Sequence, residues 1–240
     1  DMLDRLEDSF QRLAQFSADM AHALRNPINN LRGEAEVTLG RERTAQEYQH
    51  VLGSSLEELE RLSRLIDSLL FLARADDASV VLERVVFPAR TEMEAVKEFY
   101  DAVATDTRVE VVCEGNATVN GDTSLVRRAI SNLLGNSLKY TTSGDRVTLT
   151  ARASSDGGAE IIVTDSGKGI PQEVLPRVFD RFFQVDKSRD LTVKGAGLGL
   201  SVVRSIMQLH GGKATIQSAI GKGTTVTLRF PAGAGTERRL

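Results

Sequence analysis

The sequence is poor in residues that would cross-link the chain, span a membrane or attract nucleic acid. It contains one cysteine, Cys113, among 240 residues, which excludes an intrachain disulfide. It has no tryptophan, no apolar run near the ~18 residues that a membrane span needs, and no stretch that resembles a signal peptide. The net charge of −3 offers nucleic acid no attraction, so we expect no nucleic-acid partner. These absences favour a cytosolic protein in which Cys113 is a small buried side chain.

The first part of the chain has the pattern of two long helices. Apolar or small residues recur at alternating steps of three and four over residues 3–31, which is typical of a helix with a coiled-coil stripe. After a polar break at residues 40–44, Thr44 and Glu47 have the spacing of a capping box at the start of a second helix. An apolar stripe continues over residues 52–72 of this helix. The pattern predicts an antiparallel helical hairpin.

A hairpin with an exposed apolar stripe can be covered by a second copy of the chain. We therefore predict a homodimer in which two hairpins form a four-helix bundle. The alternative is a monomeric hairpin packed on the rest of the chain. The opening residues are already in helical register and lack a start methionine, so we expect the first helix to continue from a segment upstream.

The remainder of the chain alternates short β-like runs with helical ones, which predicts an α/β domain. The run DDAS interrupts the helical pattern, so the boundary is expected near residues 76–80. The predicted domains are a dimerisation domain at 1–78, an α/β domain at 79–233 and a disordered tail at 234–240. Strands are predicted at residues 80–87, 108–113, 146–153, 160–164, 213–217 and 224–230, and helices at 88–104, 123–140 and 198–210.

A histidine on the first helix, His22, lies two residues beyond the stripe residue Met20, so we expect it at the solvent-exposed edge of the stripe. Pro27 has no amide proton for the carbonyl of Ala23, and the helix is expected to bend there and expose the imidazole. A neutral imidazole offers one nitrogen as a nucleophile while a partner holds the other. An isolated histidine on a helix is usually structural or simply solvated, so a functional role for His22 depends on the residues around it.

Three polar residues share one face of the helix predicted at 123–140. Asn132, Asn136 and Lys139 follow one another at spacings of four and three. Amide oxygens can bind a hard cation that bridges phosphates, and a lysine adds positive charge. Two asparagines at this spacing are, by themselves, more often a solvated face.

Two glycine-rich segments lie at the ends of predicted elements, one after the strand at 160–164 and one before the helix at 198–210. In VTDSGKGI, Gly167 and Gly169 permit tight backbone beside a planar base, and the acceptor-only carboxylate of Asp165 suits an exocyclic amine such as that of adenine. GAGLGL leads into the helix predicted at 198–210, where free backbone amides can bind an anion. This signal is weak alone, and the sequence lacks the G-x-x-x-x-G-K-(S/T) phosphate loop. A third segment, GKGTT, begins the last strand at Thr224 and could close the pocket.

In order and spacing, these segments resemble the N box, F box and glycine boxes of the ATPase domain that histidine kinases share with type II topoisomerases, a class of heat-shock chaperones and mismatch-repair ATPases. The resemblance implies an α/β sandwich that binds ATP with Mg²⁺, with Asn136 as the Mg²⁺ ligand and Asp165 as the adenine reader. It also implies a mobile lid over the phosphates at about residues 184–196. The implied nucleotide-binding residues are Asn132, Asn136, Lys139, Tyr140, Asp165, Gly167, Gly169, Gly195, Gly197, Leu198, Gly199, Leu200 and Thr224.

The F box would be VFDRFF, whose three phenylalanines are equally compatible with an ordinary core.

The segment FSADMAHALRNPINNL resembles the H-box of histidine kinases, H-(E/D)-x-x-(T/N)-P, with His22, Asn26 and Pro27 in register. This implies that His22 attacks the γ-phosphorus of ATP, and that Asn26 positions a water for hydrolysis of a phosphorylated partner. The family normally has Glu or Asp where this chain has Ala23. Because a general base contributes about 10²–10⁴ in rate, we expect weak autophosphorylation.

Several segments, among them FSADMAH and RLSRLIDSLLFLARAD, are especially similar to the heavy-metal sensor kinases of bacteria. This implies the cytoplasmic fragment of an inner-membrane protein, anchored through upstream segments, with the receiver domain of a cognate response regulator as partner. The histidines and Cys113 are scattered, so we expect no metal other than Mg²⁺ with nucleotide. An alternative is a kinase-deficient ATP-binding module that acts mainly as a phosphatase or partner-binding dimer. A third reading, an ATP-driven clamp, is disfavoured by the H-box and the hairpin.

Overall fold

The computed structural model describes residues 2–75, 80–185 and 196–232, with side chains from Ser17 onward. The chain divides into two compact units, Asp1–Leu70 and Phe71–Leu240. Most of the predicted lid, the predicted tail at 234–240 and the expected boundary region at 76–79 lie outside the described residues. Within the described part of the chain, no helix has both the length and the apolar content required to cross a membrane.

The first unit is built from a helical hairpin. Helix α1 (Met2–Leu39) runs through Pro27, and helix α2 (Ala45–Ala75) begins after a short turn. The amide of Thr44 donates to Glu47 Oε2 at 2.8 Å, and the amide of Glu47 donates to Thr44 Oγ1 at 3.3 Å. The predicted capping box is therefore confirmed, and it satisfies two helix-end donors that would otherwise lack partners.

The second unit combines short helices with two sheets. Its elements are β1 (Arg84–Pro88), α3 (Ala89–Phe99), α4 (Asp101–Thr107), β2 (Glu110–Gly115), β3 (Thr118–Asp122), α5 (Thr123–Tyr140), β4 (Arg146–Ala153), β5 (Ala159–Asp165), a 3-10 helix at Gln172–Arg177, α6 (Gly199–Leu209), β6 (Lys213–Ser218) and β7 (Thr224–Phe230). The larger sheet has the order β2-β4-β5-β7-β6, and only its β2–β4 pair is parallel. Strands β1 and β3 form a separate antiparallel pair.

The core of the second unit lies between the larger sheet and helices α3, α5 and α6. Alternate residues of β4 are buried, including Val147 and Leu149, as expected for a strand with one face on a core. Helix α5 buries Val126, Ile130 and Leu134 at a spacing of four. Each such side chain contributes about 1.5–3 kcal/mol through burial. The predicted α/β sandwich is confirmed.

Several elements differ from the sequence-based prediction. Strand β3 and the 3-10 helix were not predicted, and the strands predicted at 80–87 and 108–113 lie at Arg84–Pro88 and Glu110–Gly115. The helix predicted at 88–104 is divided at Tyr100, whose φ and ψ are −95° and 4°. The Tyr100 hydroxyl lies 3.2 Å from Ser131 Oγ on α5. The helix breaks at the residue that makes this tertiary contact, and the local helical pattern of the sequence does not predict the break.

The single cysteine lies on β2, an edge strand of the larger sheet. Cys113 is 7% exposed, in agreement with the prediction of a buried side chain. Burial raises the pKa of the Cys113 thiol to about 11. The side chain therefore acts as a small apolar core group.

Candidate active site

Helix α5 supplies the first wall of the candidate site. Its N-cap is Asp122, whose Oδ1 accepts hydrogen bonds from the amides of Ser124 and Leu125 at 3.0 and 3.1 Å. Because three and four residues separate neighbours on a helix surface, Asn132, Asn136 and Lys139 lie along one half-buried strip. The helix thus presents two amides and an ammonium group on one face.

Asp165, at the end of β5, is a buried carboxylate of the site with three hydrogen-bond donors around it. Its side chain accepts hydrogen bonds from the Ser137 hydroxyl and from the backbone amides of Gly167 and Thr224, each at 3.1 Å. The residue is 8% exposed, and this burial raises the pKa of its carboxyl although the three hydrogen bonds oppose the change. The arrangement fixes the carboxylate in one orientation.

The glycines around Asp165 are required by close backbone contacts. A Cβ at Gly223, where φ is +81°, would lie 1.9 Å from the Asp165 carbonyl oxygen. A Cβ at Gly169, where φ is +71°, would lie 2.0 Å from the carbonyl oxygen of Ala219. Ser218 joins the two turns, because its hydroxyl accepts from the Ile170 amide at 2.8 Å and donates to the Gly223 carbonyl at 2.7 Å. No other residue type combines these positive φ angles with such proximity at low cost.

The start of α6 lies against the asparagines of α5. A Cβ placed on Gly199 would lie 3.3 Å from Asn132 Oδ1 and 3.4 Å from Asn136 Nδ2. The Asn132 amide group donates to the carbonyl of Arg128 at 2.9 Å, which leaves its oxygen directed away from that bond. Leu198 is the buried N-cap residue of α6, and Leu200 follows in its first turn. The first turn of a helix, whose amides have no partner within the helix itself, thus faces two amide side chains.

A cavity of about 420 Å³ opens beside the Asp165 segment. Tyr140 lines it and is 41% exposed, and the ammonium groups of Lys139 and Lys168 each lie 5.0 Å from the centre of its ring. Gly167 also lines the cavity. Its volume is within the range of about 300–1,000 Å³ typical of small-molecule sites.

His22 and Asn26 belong to the first unit, on α1. Both are exposed, one helical turn apart, whereas Ala23 is partly buried. The exposure of His22 agrees with the prediction that its imidazole is reachable by solvent. A side chain at this position can be reached by a ligand from solvent.

Most of the predicted nucleotide residues lie in three adjoining groups. Asp165, Gly167 and Thr224 are directly bonded, Asn132 and Asn136 adjoin Gly199, and Lys139 and Tyr140 line the cavity. Gly197, with φ of +72°, packs on the backbone of Phe182 and Phe183, the last two aromatics of the predicted F box, of which Phe179 is also partly buried. Gly195 lies outside the described residues.

Two residues of the site were missed by sequence reasoning. Ser137 holds Asp165, and its position one residue after Asn136 was the only available signal. Ser218 gives no sequence signal, because its bond to the Ile170 amide joins segments that are 48 residues apart in the chain.

Two family models match the chain. Residues 12–78 match the His Kinase A (phospho-acceptor) domain, and residues 121–234 match the histidine kinase-, DNA gyrase B-, and HSP90-like ATPase. Sensor protein IrlS of Burkholderia pseudomallei is 43% identical over 233 residues, which cover 97% of this chain and 50% of IrlS. Sensor histidine kinase CusS of Escherichia coli K12 is 39% identical over 232 residues, which cover 96% of this chain and 48% of CusS. The chain thus spans about half the length of these curated relatives.

A solved structure shares the fold of both units. Histidine kinase ThkA, in complex with response regulator protein TrrA, matches with a TM-score of 0.74 and 21% identity. The match covers 94% of this chain and 64% of that chain. The order of elements described above, a helical hairpin followed by an α/β sandwich, is therefore found in a solved protein.

Proposed function

The chain belongs to the sensor histidine kinases of two-component systems, and from this membership we propose that it uses ATP to phosphorylate His22 and passes the phosphoryl group to a response-regulator aspartate. The observation that carries the proposal is the convergence of a fixed carboxylate, two amides and a helix N-terminus in one unit. The other unit supplies an exposed histidine within a phospho-acceptor segment.

ATP fits the chemistry of the second unit. Asp165 is an oriented acceptor for the exocyclic amine of adenine, and the exposed ring of Tyr140 offers a face for stacking. The phosphates would lie at the first turn of α6, near Asn132 and Asn136. Amide oxygens are ligands that Mg²⁺ accepts together with phosphate oxygens, so Asn136 would hold the ion, which neutralises phosphate charge when bound.

The transfer itself requires a nucleophile, a position and charge stabilisation. The neutral imidazole of His22 attacks the γ-phosphorus with its unprotonated nitrogen, the bond from phosphorus to the β,γ-bridging oxygen breaks, and ADP leaves with the electron pair. The proton on the other ring nitrogen passes to a base or to solvent, leaving a phosphohistidine whose ring is neutral and whose phosphoryl group keeps its negative charge. Its phosphorus–nitrogen bond is labile, which suits onward transfer to a carboxylate.

The residue after His22 limits this reaction. Ala23 has no group that could hold the imidazole or accept its proton, so we propose that autophosphorylation is slow in this chain. Asn26, one turn away and exposed, would position a water for hydrolysis of the phosphorylated regulator. The same observation at Ala23 supports a second candidate, a kinase-deficient dimer that acts mainly as a phosphatase or partner-binding module.

The proposed partner is the receiver domain of a response regulator. A complex of this kind is formed by ThkA, which shares the fold of this chain. By analogy with its sensor relatives, which are about twice as long, we propose that these residues are the cytoplasmic part of a bacterial inner-membrane protein.

The proposed reaction is tested by incubation with γ-labelled ATP and Mg²⁺. Label that is lost in acid and retained in alkali identifies a phosphorus–nitrogen bond, as expected for phosphohistidine. Addition of a receiver domain should then move the label to an acid-stable, alkali-labile acyl phosphate. Bound ATP without any transferred label, combined with dephosphorylation of the regulator, would favour the second candidate.

The proposed homodimer rests on apolar side chains of α2 that one copy leaves exposed. Leu65 and Leu69 are 8% and 7% exposed, whereas Leu52, Leu56 and Leu59 are 68%, 59% and 51% exposed. The exposed leucines follow one another at steps of four and three, the spacing of a helix–helix seam. Contact with a second hairpin would remove this surface from water.

Leu56→Glu is expected to convert the dimer to a monomer. Burial of a leucine contributes about 1.5–3 kcal/mol, and symmetry counts the change twice, so the dissociation constant should rise by about 10²–10⁴. Sedimentation velocity over a concentration series measures this shift. Ser63→Glu, which adds the same charge at an exposed polar position of α2, should remain dimeric. A wild-type chain that is monomeric at tens of micromolar would contradict the proposal.

A further inference from the structure

A buried histidine joins the two helices that form the nucleotide site. His210, at the end of α6, is 1% exposed. Its Nε2 accepts a hydrogen bond from the Asp122 amide at 2.9 Å, and its Nδ1 lies 2.7 Å from the Ile206 carbonyl oxygen. A backbone amide can only donate, so Nε2 carries no proton and Nδ1–H is the donor to Ile206. The ring is therefore neutral, with both nitrogens in use.

Helix α6 contacts α5 at one end and the N-cap residue of α5 at the other. The first turn of α6 lies against Asn132 and Asn136, in the middle of α5. The far end of α6, about 16 Å away for its 11 residues, contacts the N-cap residue Asp122 through His210. The helices are thus antiparallel, and the bond from Asp122 to His210 fixes how far α6 is displaced along α5.

The space around the imidazole leaves it little freedom. A Cβ on Gly121 would lie 2.8 Å from the His210 Cδ2, and the ring of Phe230 meets the imidazole edge-on with a centroid distance of 5.6 Å. A close-packed side chain in this position transmits a shift rather than absorbing it. Sliding of α6 would therefore break the bond to Asp122.

We propose that His210 is a positioning residue for the nucleotide, which holds the first turn of α6 at its distance from Asn132 and Asn136 by accepting the Asp122 amide. The inference rests on the proposed nucleotide site and adds a residue that contacts neither ATP nor the reacting atoms. It makes nucleotide affinity depend on the acceptor nitrogen of one remote imidazole.

Acid should weaken this link. A protonated Nε2 would place a donor against the Asp122 donor. Two charged groups face the ring. The guanidinium of Arg84 on β1 donates to the Leu209 carbonyl at 3.3 Å, and the Asp122 carboxylate accepts from Ser124 and Leu125. On the side of β7, the ring contacts the apolar side chain of Phe230. Burial, aided by Arg84, lowers the pKa of His210 below 6.5. The stabilisation is therefore complete above pH ~6.5 and is lost as the pH falls below it.

The test measures ATP binding at pH 7.5 and pH 5.8 by calorimetry for wild type, His210→Phe and His210→Gln. Phe keeps the ring volume and removes the acceptor, so we expect about tenfold weaker binding at pH 7.5. Gln can offer an oxygen to Asp122, and we expect affinity within about threefold of wild type. Protonation of ATP itself weakens binding at pH 5.8 equally in all three chains. Wild type should show a further loss of affinity at pH 5.8 from protonation of His210, and both variants should lack this further loss.

A matched control separates positioning from general loss of stability. Cys113→Ser buries a hydroxyl on an edge strand remote from α6, and thermal unfolding shows how far each variant is destabilised. We expect Cys113→Ser to keep wild-type affinity and wild-type pH dependence. Equal pH slopes in wild type and His210→Gln, or a folded His210→Phe with wild-type affinity, would overturn the inference. Failure of wild type to bind ATP at pH 7.5 would instead contradict the proposed function.

Discussion

Ala23→Glu is expected to raise the initial rate of phosphohistidine formation by about 10²-fold or more. A carboxylate next to His22 can hold the protonated ring nitrogen and accept its proton as the phosphorus–nitrogen bond forms. Glu has nearly the helix propensity of Ala, so the substitution should leave α1 intact. The rate is measured as acid-labile, alkali-stable label from γ-labelled ATP.

Two variants make this result specific. Ala21→Glu adds the same charge at an exposed position on the other side of His22 and should give no comparable gain. His22→Gln, introduced into the Ala23→Glu chain, should remove the label. If Ala23→Glu binds ATP normally but forms no more phosphohistidine than wild type, the residue at position 23 does not limit the reaction. The barrier would then lie in delivery of ATP to the hairpin.

Asp165→Asn is expected to weaken ATP binding by about 10²-fold, or ~3 kcal/mol. The carboxylate accepts from Ser137, Gly167 and Thr224 and, in the proposed complex, from the adenine amine. An amide supplies one acceptor oxygen and an NH₂ group, so a donor would face another donor. Calorimetric titration with ATP measures the loss. Asp156→Asn, which changes an exposed carboxylate bonded to Arg229, should bind normally.

Inosine triphosphate distinguishes base recognition from loss of structure. Inosine has a carbonyl in place of the amine, so wild type should prefer ATP over the inosine nucleotide. Asp165→Asn should remove or reverse that preference, because its NH₂ group can donate to the carbonyl. A variant that keeps the wild-type ratio while both affinities fall would show that Asp165 only supports the fold of the pocket.

Local patterns predicted the elements that depend on neighbouring residues. Helix α5 and strands β4 and β7 have the predicted bounds, because each combines a clear period with a capping or turn residue at its start. The resemblance to the heavy-metal sensor kinases is also confirmed, since it rested on motifs along the whole chain.

Non-local features could not be predicted. Strand β3, TVNGD, contains Asn, Gly and Asp, which are rare in strands, and it is strand only because it pairs with β1. The parallel pairing of β2 with β4 joins segments with two other elements between them. In the same way, Ser218 and His210 act on segments that are remote in the chain. Neither residue has a spacing to the motifs that a periodic pattern could reveal.

The buried thiol on β2 makes the chain suitable for site-specific labelling. At neutral pH a thiol with a pKa of about 11 is ionised in only about one molecule in 10⁴, and thiolate is the reactive form. Cysteines introduced at exposed positions, such as His50 on α2 and Asp106 on α4, would therefore react with fluorophore maleimides far faster than Cys113. The native sequence can thus report distances between hairpin and sandwich by energy transfer, without removal of its own cysteine.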